Sequence, residues 1–263
     1  MMEIFDSHTH LNDEPYAGHE AEYVAEAKQL GVTEMAIVGS DTKLNDGALT
    51  LAHEFENLYA IVGWHPESAK DYDLAKEAIL QEQLQDDKVV ALGEIGLDYH
   101  WDTSPRADQR KVFERQLAIA REQHIPVSIH SRDAFEETYA LLQAAHLEDF
   151  GGIMHSFTGD AEWAKRFLDL GMYISYSGIV SFKNAPEEHE SVVVIPDDRL
   201  LVETDAPYLT PEPYRGKPNQ PGYTRYVVDA VAKYREVSAE QIAAQTHANA
   251  HRIFGIGDTD DRH

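Results

Sequence analysis

Val89-Val90-Ala91-Leu92-Gly93-Glu94 sets four apolar residues in a row just ahead of a carboxylate. A short apolar run of this kind reads as a strand buried on both faces, and an ionisable residue at its end is carried to one edge of the sheet. The same arrangement recurs along the chain. Apolar cores at residues 4–5, 35–38, 59–62, 89–92, 127–129, 152–154, 172–174 and 200–202 mark eight strands, with longer amphipathic stretches between them. In one of those stretches, 109–123, the residues Val112, Phe113, Leu117 and Ala120 recur at spacings of about 3.6 residues, the mark of a helix with one buried face. Alternating strands and helices over 263 residues predict a (β/α)8 TIM-like barrel, regular or distorted, because one such barrel takes roughly 250 residues.

Domain organisation follows from the same reading. No repeat, low-complexity tract or linker divides the chain, so residues 1–257 are expected to form one barrel domain, with 258–263 a polar tail. The Pro- and Gly-rich stretch 207–222 follows the last strand directly and is expected to be an active-site loop. Helices at about 223–234 and 239–254 would close the barrel.

Composition narrows the chemistry. Hydrophobic residues make up 43% and charged residues 26%, ordinary for a folded enzyme. With 22 basic and 47 acidic side chains the net charge is −25, which argues against a broad nucleic-acid-binding surface but leaves room for a local cationic site built around metal ions. There is no Cys, which excludes disulfides and thiolate metal sites. Neither a secretory leader nor an apolar stretch long enough to cross a bilayer is evident, so a cytoplasmic location without membrane attachment is expected. A monomer with no obligate protein partner is the expected state.

Ligand-type side chains fall at the predicted strand ends. His8 and His10 lie two apart in Ile4-Phe5-Asp6-Ser7-His8-Thr9-His10, so both imidazoles project to one side of an extended chain. Glu94 follows the fourth apolar run, His130 the fifth, His155 the sixth and Asp205 the eighth. In a barrel the C-terminal strand ends form one face, where these six groups would converge. Four imidazoles and two carboxylates suit zinc, manganese, nickel or magnesium without choosing among them. Six ligands exceed the needs of one tetrahedral ion, and a bridging carboxylate, for which Glu94 is best placed, would let them hold two divalent metal ions about 3.5–4 Å apart.

The motifs DSHTHL from Asp6, GWHPE from Gly63, GEIGLDY from Gly93, IPVSIHSRDA from Ile125, GIMHSFTG from Gly152, SGIVSFKNA from Ser177, VETDAPYL from Val202, RGKPNQP from Arg215 and the closing ANAHRIFG occur in one order across the chain. This series resembles the TatD family of metal-dependent deoxyribonucleases, within the amidohydrolase superfamily of barrels. The resemblance implies that His8, His10, Glu94 and Asp205 surround one metal and Glu94, His130 and His155 the other. It also implies hydrolysis of phosphodiester bonds in single-stranded DNA, by exonuclease attack from a 3′ end. Glu67 departs from the pattern, which more often has a second histidine there.

Chemical roles follow from these positions. A water between two divalent ions ionises far more readily than bulk water, and Asp205 could both ligate a metal and take up the released proton. Glu203 is a candidate to assist that transfer or to serve as a buried hydrogen-bonded carboxylate. His65, Arg132 and Arg215 are candidate phosphate contacts, with Lys183 and Lys217 as further rim cations. Tyr99, Trp101 and Tyr208 could stack on bases. Two other functions fit the same ligands: hydrolysis of a small-molecule amide or ester, or of an aminoacyl-RNA ester, and a non-catalytic metal-binding role in partner engagement.

Overall fold

The computed structural model describes residues 2–101 and 103–257; the expected polar tail at 258–263 lies outside the described residues. Strands β1 (Ile4–Thr9), β2 (Val32–Val38), β3 (Leu58–Val62), β4 (Val89–Asp98), β5 (Val127–Arg132), β6 (Gly152–Met154), β7 (Tyr173–Tyr176) and β8 (Leu200–Val202) pair in sequence order, each pair parallel. Beyond the end of β8 the sheet curls back to its start: Asp205 N–H donates to His8 O at 3.0 Å and His10 N–H to Ala206 O at 2.8 Å. The result is the expected (β/α)8 barrel, nearly closed.

Around it lie α1 (Glu20–Gln29), α2 (Thr42–Glu54), α3 (Leu74–Gln83), α4 (Arg106–Gln123), α5 (Phe135–Ala144), α6 (Ala161–Asp169), α7 (Pro186–Val194), α8 (Thr224–Arg235) and α9 (Ala239–Phe254). Helix starts are chemically marked. Asp41, Asp73, Asp160 and Ser238 each accept a hydrogen bond from a backbone N–H of the first turn, worth about 1 kcal/mol apiece.

The period-two alternation of the strands sorts the apolar residues into two layers. Ile4, Met35, Ile37, Leu58, Ala60 and Val62 pack outward against helices, whereas Phe5, Ala36, Val38, Ile61, Ile153 and Leu201 fill the interior. Helix α9 joins the inner layer: Ala250 and Phe254 pack into it, with the Phe254 ring 5.6 Å from that of Phe5. The N-terminal end of the barrel is thereby sealed by a helix.

Two strands run further than their apolar cores predict. β4 continues from Leu92 through Asp98, and β5 from Ile129 through Arg132, so Glu94 and His130 lie within strands and not beyond their ends. Alternation explains the extension. Ile95 and Leu97 turn into the outer apolar layer, while Glu94, Gly96 and Asp98 occupy the intervening positions. Gly96 is obligatory there: its φ is +144°, and a Cβ would stand 1.9 Å from the carbonyl oxygen of His130.

Candidate metal centre

Six elements deliver polar side chains to the C-terminal mouth. His8 comes from β1 and His10 from the residue just beyond its end, Glu94 from β4, His130 from β5, His65 and His155 from the segments after β3 and β6, and Asp205 from the turn after β8. Glu94 lies at the centre, almost fully buried. Its two oxygens face different partners. Oε1 is 2.8 Å from His130 Nδ1, 2.9 Å from His155 Nε2 and 3.5 Å from His65 Nε2, whereas Oε2 is 3.5 Å from His8 Nε2 and 3.7 Å from His10 Nε2. Asp205 Oδ1 closes the second group, 3.5 Å from His10 Nε2 and 3.9 Å from His8 Nε2. All six sequence-predicted ligands are therefore gathered in one place.

Behind the rings a further set of contacts fixes their orientation. His10 Nδ1 is 3.0 Å from the carbonyl oxygen of Val38, an acceptor only, so Nδ1 carries a proton and in the neutral ring Nε2 turns a lone pair inward. His155 Nδ1 likewise donates to Glu203 Oε1 at 3.0 Å, which also accepts from Ser156 N–H at 2.9 Å. His8 Nδ1 meets Ser128 Oγ at 3.3 Å. His130 is clamped differently, its Nε2 being 2.8 Å from Asp98 Oδ2.

The electrostatics show a site that calls for positive charge. Burial would raise the Glu94 carboxyl, but the neighbouring His155, His65 and His130 hold it well below the usual carboxylate range. Asp205 is also held low, burial being outweighed by His10, His155 and His8. At His130 burial works downward, yet hydrogen bonds to Asp98 and Glu94 push it up to about 9. His155 rises well above the ordinary imidazole value because Glu94 and Glu203 overcome its burial. His8 moves the other way, lowered by burial and by the charge of His155.

The family model described as TatD related DNase matches residues 5–255. The chain belongs to the TatD family. A relative from Bacillus subtilis, named as the uncharacterized metal-dependent hydrolase YabD, is 44% identical over 253 residues, covering 96% of this chain and 99% of the relative. The 3′-5′ ssDNA/RNA exonuclease TatD of Klebsiella pneumoniae is 32% identical over 258 residues, covering 96% and 98%. Among solved structures, the TatD homologue YjjV from Escherichia coli K12 superimposes with a TM-score of 0.91 at 29% identity, covering 96% and 98%. This TatD protein is accordingly a metal-dependent hydrolase.

Its mouth residues fit a divalent cation. The inward-facing Nε2 atoms of His8 and His10 approach to 3.3 Å, and the His155 Nε2 lies 2.9 Å from a carboxylate oxygen. Such contacts between lone pairs are favourable only with a proton or a metal cation between them. The second oxygen of the fully buried Glu203 has no hydrogen-bond partner among the described residues. The three donor groups His8–His10–Glu94, His8–His155–Asp205 and His65–Glu94–His130 each bring ligand atoms within 4.8 Å of one another.

The rim candidates of this TatD chain lie further out. Arg132, at the end of β5, is exposed and 5.7 Å from the half-exposed Trp101 ring; it lines a cavity of about 640 Å³ with Tyr99, Phe135 and Trp163. Arg215 lies in the loop between β8 and α8, over the Phe182 ring at 4.0 Å, and hydrogen-bonds Asn184. Lys183 and Lys217 are exposed, the latter over Tyr214. Tyr99 is already engaged: its hydroxyl donates to Glu137 at 2.6 Å and Arg106 covers its ring. Tyr208 is 57% exposed, 6.3 Å from the His10 ring.

Glu203 and Asp205 both follow β8, which ends at Val202, and they serve different neighbours, Glu203 meeting His155 and Asp205 meeting His10. Two further buried carboxylates, Asp98 and Asp6, brace the mouth. Asp98 lies in the GEIGLDY motif, two alternations after Glu94, and that spacing was the available signal. Its carboxyl is held at about 2, burial being overcome by His130 and by the backbone N–H groups of Trp101 and His100. Asp6 begins DSHTHL. It accepts from Thr204 Oγ1 at 2.6 Å and Thr204 N–H at 3.0 Å, tying β1 to the segment bearing Asp205, while burial pushes its carboxyl up to about 7.

Proposed function

We propose that the mouth of this barrel hydrolyses phosphodiester bonds with two divalent ions, as an exonuclease acting from the 3′ end of single-stranded DNA. The observation that carries this reading is the Glu94 carboxylate, whose two oxygens face separate groups of imidazoles, as a bridge between two cations requires. His8, His10, Glu94 and Asp205 would hold one ion, and Glu94, His130 and His155 the other. When bound, such ions lower the pKa of a water and withdraw charge from a phosphoryl oxygen. The substrate assignment draws support from the relatives named 3′-5′ ssDNA/RNA exonuclease.

The remaining steps belong to the chain's own side chains. Asp205, kept anionic by its neighbours, takes up the proton of the attacking water. Glu203 holds His155 in its ligand tautomer through one oxygen, and the other, unpartnered oxygen is available for proton transfer. His65 differs from the ligand histidines. Its Nδ1 accepts from Glu67 N–H at 3.2 Å, so in the neutral ring the proton sits on Nε2, suiting donation to a phosphate oxygen better than ligation. Arg132 and Arg215 offer charge to flanking phosphates from the rim, and the aromatic cavity beside Arg132 has room for a base. One barrel domain, residues 1–257, carries all of these groups.

The test is metal analysis joined to activity. Chelated protein is reconstituted with zinc, manganese, nickel or magnesium and assayed on single-stranded DNA, a chromogenic phosphodiester, an amide and a lactone. Two ions per chain at the mouth and DNA cleavage that tracks occupancy are expected. Turnover of only the amide or lactone would replace the nuclease reading with a different hydrolase.

A further inference from the structure

A second cluster of metal-type side chains lies at the opposite end of the barrel. Glu34 is the third residue of β2, and His247 and His251 lie one helical turn apart on α9, the helix that seals the floor. Both imidazoles turn to the same carboxylate. His247 Nε2 is 2.8 Å from Glu34 Oε1, and His251 Nε2 is 3.2 Å from Oε1 and 3.0 Å from Oε2. The two rings stack at 4.4 Å, and Tyr59 donates its hydroxyl to Glu34 Oε2 at 3.4 Å.

We propose that Glu34, His247 and His251 form a separate binding site for one zinc-class divalent ion, which clamps α9 to β2 across the barrel floor. Three observations carry it. Histidines at positions i and i+4 share a helix face, which presents two imidazoles to one ion. The three ligand atoms lie within 4.8 Å of one another, and the two Nε2 atoms stand 2.8 and 3.0 Å from Glu34 oxygens, close to the spacing of about 3.3 Å found between ligands of a tetrahedral zinc with bonds of roughly 2.0–2.1 Å. Finally, among the described residues neither His247 Nδ1 nor His251 Nδ1 has a hydrogen-bond partner, and both rings are partly exposed. Each ring can therefore move its proton to Nδ1 and offer Nε2 to a metal without breaking any bond except the one to Glu34, which the ion replaces.

The ligand set also narrows the ion. Two imidazoles and one carboxylate favour zinc, or its nickel and copper neighbours, over magnesium or calcium. Three protein ligands leave a fourth position for water, and partial exposure provides a route of entry.

The experiment uses the full-length chain, stripped with chelator and equilibrated with zinc alone. Elemental analysis after dialysis is expected to find one equivalent fewer in the His247→Gln/His251→Gln variant than in the wild type, with hydrolytic turnover by the metal-loaded variant within twofold of the wild type. Independently, anomalous diffraction at the zinc edge from wild-type crystals should place a peak among Glu34, His247 and His251. Equal zinc content in the two proteins overturns the proposal. So does a crystal with zinc at the mouth and none at the floor, a readout that stands even if the variant does not fold.

Discussion

The two ends of the barrel each gather histidines about a glutamate, yet they are built differently. At the mouth, Glu94 is approached from β1, β5 and the segments after β3 and β6, and the ligand rings are held from behind by Val38, Ser128, Asp98 and Glu203. At the floor, Glu34 meets two rings from a single helix, which pack against Phe5 and, among the described residues, have no hydrogen-bond partner at Nδ1. The contrast separates two uses of the same donor atoms. A catalytic centre needs each ligand's tautomer and direction fixed in advance, whereas a clamp needs only two elements brought within reach of one ion.

The largest effect should come from Glu94→Gln, which removes the shared charge between the two ligand groups. Turnover of single-stranded DNA should fall by about 10³-fold or more, by analogy with loss of a central electrostatic group, while zinc at the floor is retained. A loss smaller than tenfold would refute the bridging role.

Next in size is Glu203→Gln, which keeps the shape behind His155 but removes the charge. Metal affinity or activity at the mouth should drop by about 10–100-fold. Its counterpart, Glu34→Gln, should leave turnover within about twofold, since it lies at the other end of the barrel. If both variants lost activity alike, the functional separation of the two ends would be untenable.

Proton uptake offers a third comparison. In metal-free protein, His130 is raised to about 9, so its contribution to stability is complete below its unfolded value of about 6.5 and is lost as pH rises through 9. Urea unfolding of the chelated protein should show stability falling over this interval. Mouth metal affinity should rise over the same range, because the metal displaces that proton. Flat stability between pH 6.5 and 9 would mean that His130 is not held between its carboxylates.

The smallest effect is expected at the rim. Arg132→Ala should raise KM for single-stranded DNA by about three- to tenfold with kcat little changed, the pattern for loss of contact to a part of the substrate that does not react. A change in kcat alone would place Arg132 in the chemistry.

The barrel was legible because each strand has an apolar core that no helix would repeat, and the mouth ligands because they follow those cores. The apolar signal of β4 ends at Leu92, where apolar residues give way to Gly93-Glu94-Ile95-Gly96-Leu97-Asp98 and the inward positions become polar. Asp98 was missed for that reason. Glu34 and the pair His247 and His251 are separated by more than two hundred residues, and each alone resembles an ordinary solvated side chain, so only the fold brings them together.

Phe254 and Ala250, packed against Phe5 beneath the inner layer, have a consequence for traffic. They complete a packed interior that leaves Glu94 open to the mouth alone, so on the proposed nuclease reading a strand would meet the site by its tip and each product would leave by the opening its parent entered. One-sided access of this kind would suit trimming at a terminus more than travel along an unbroken polymer.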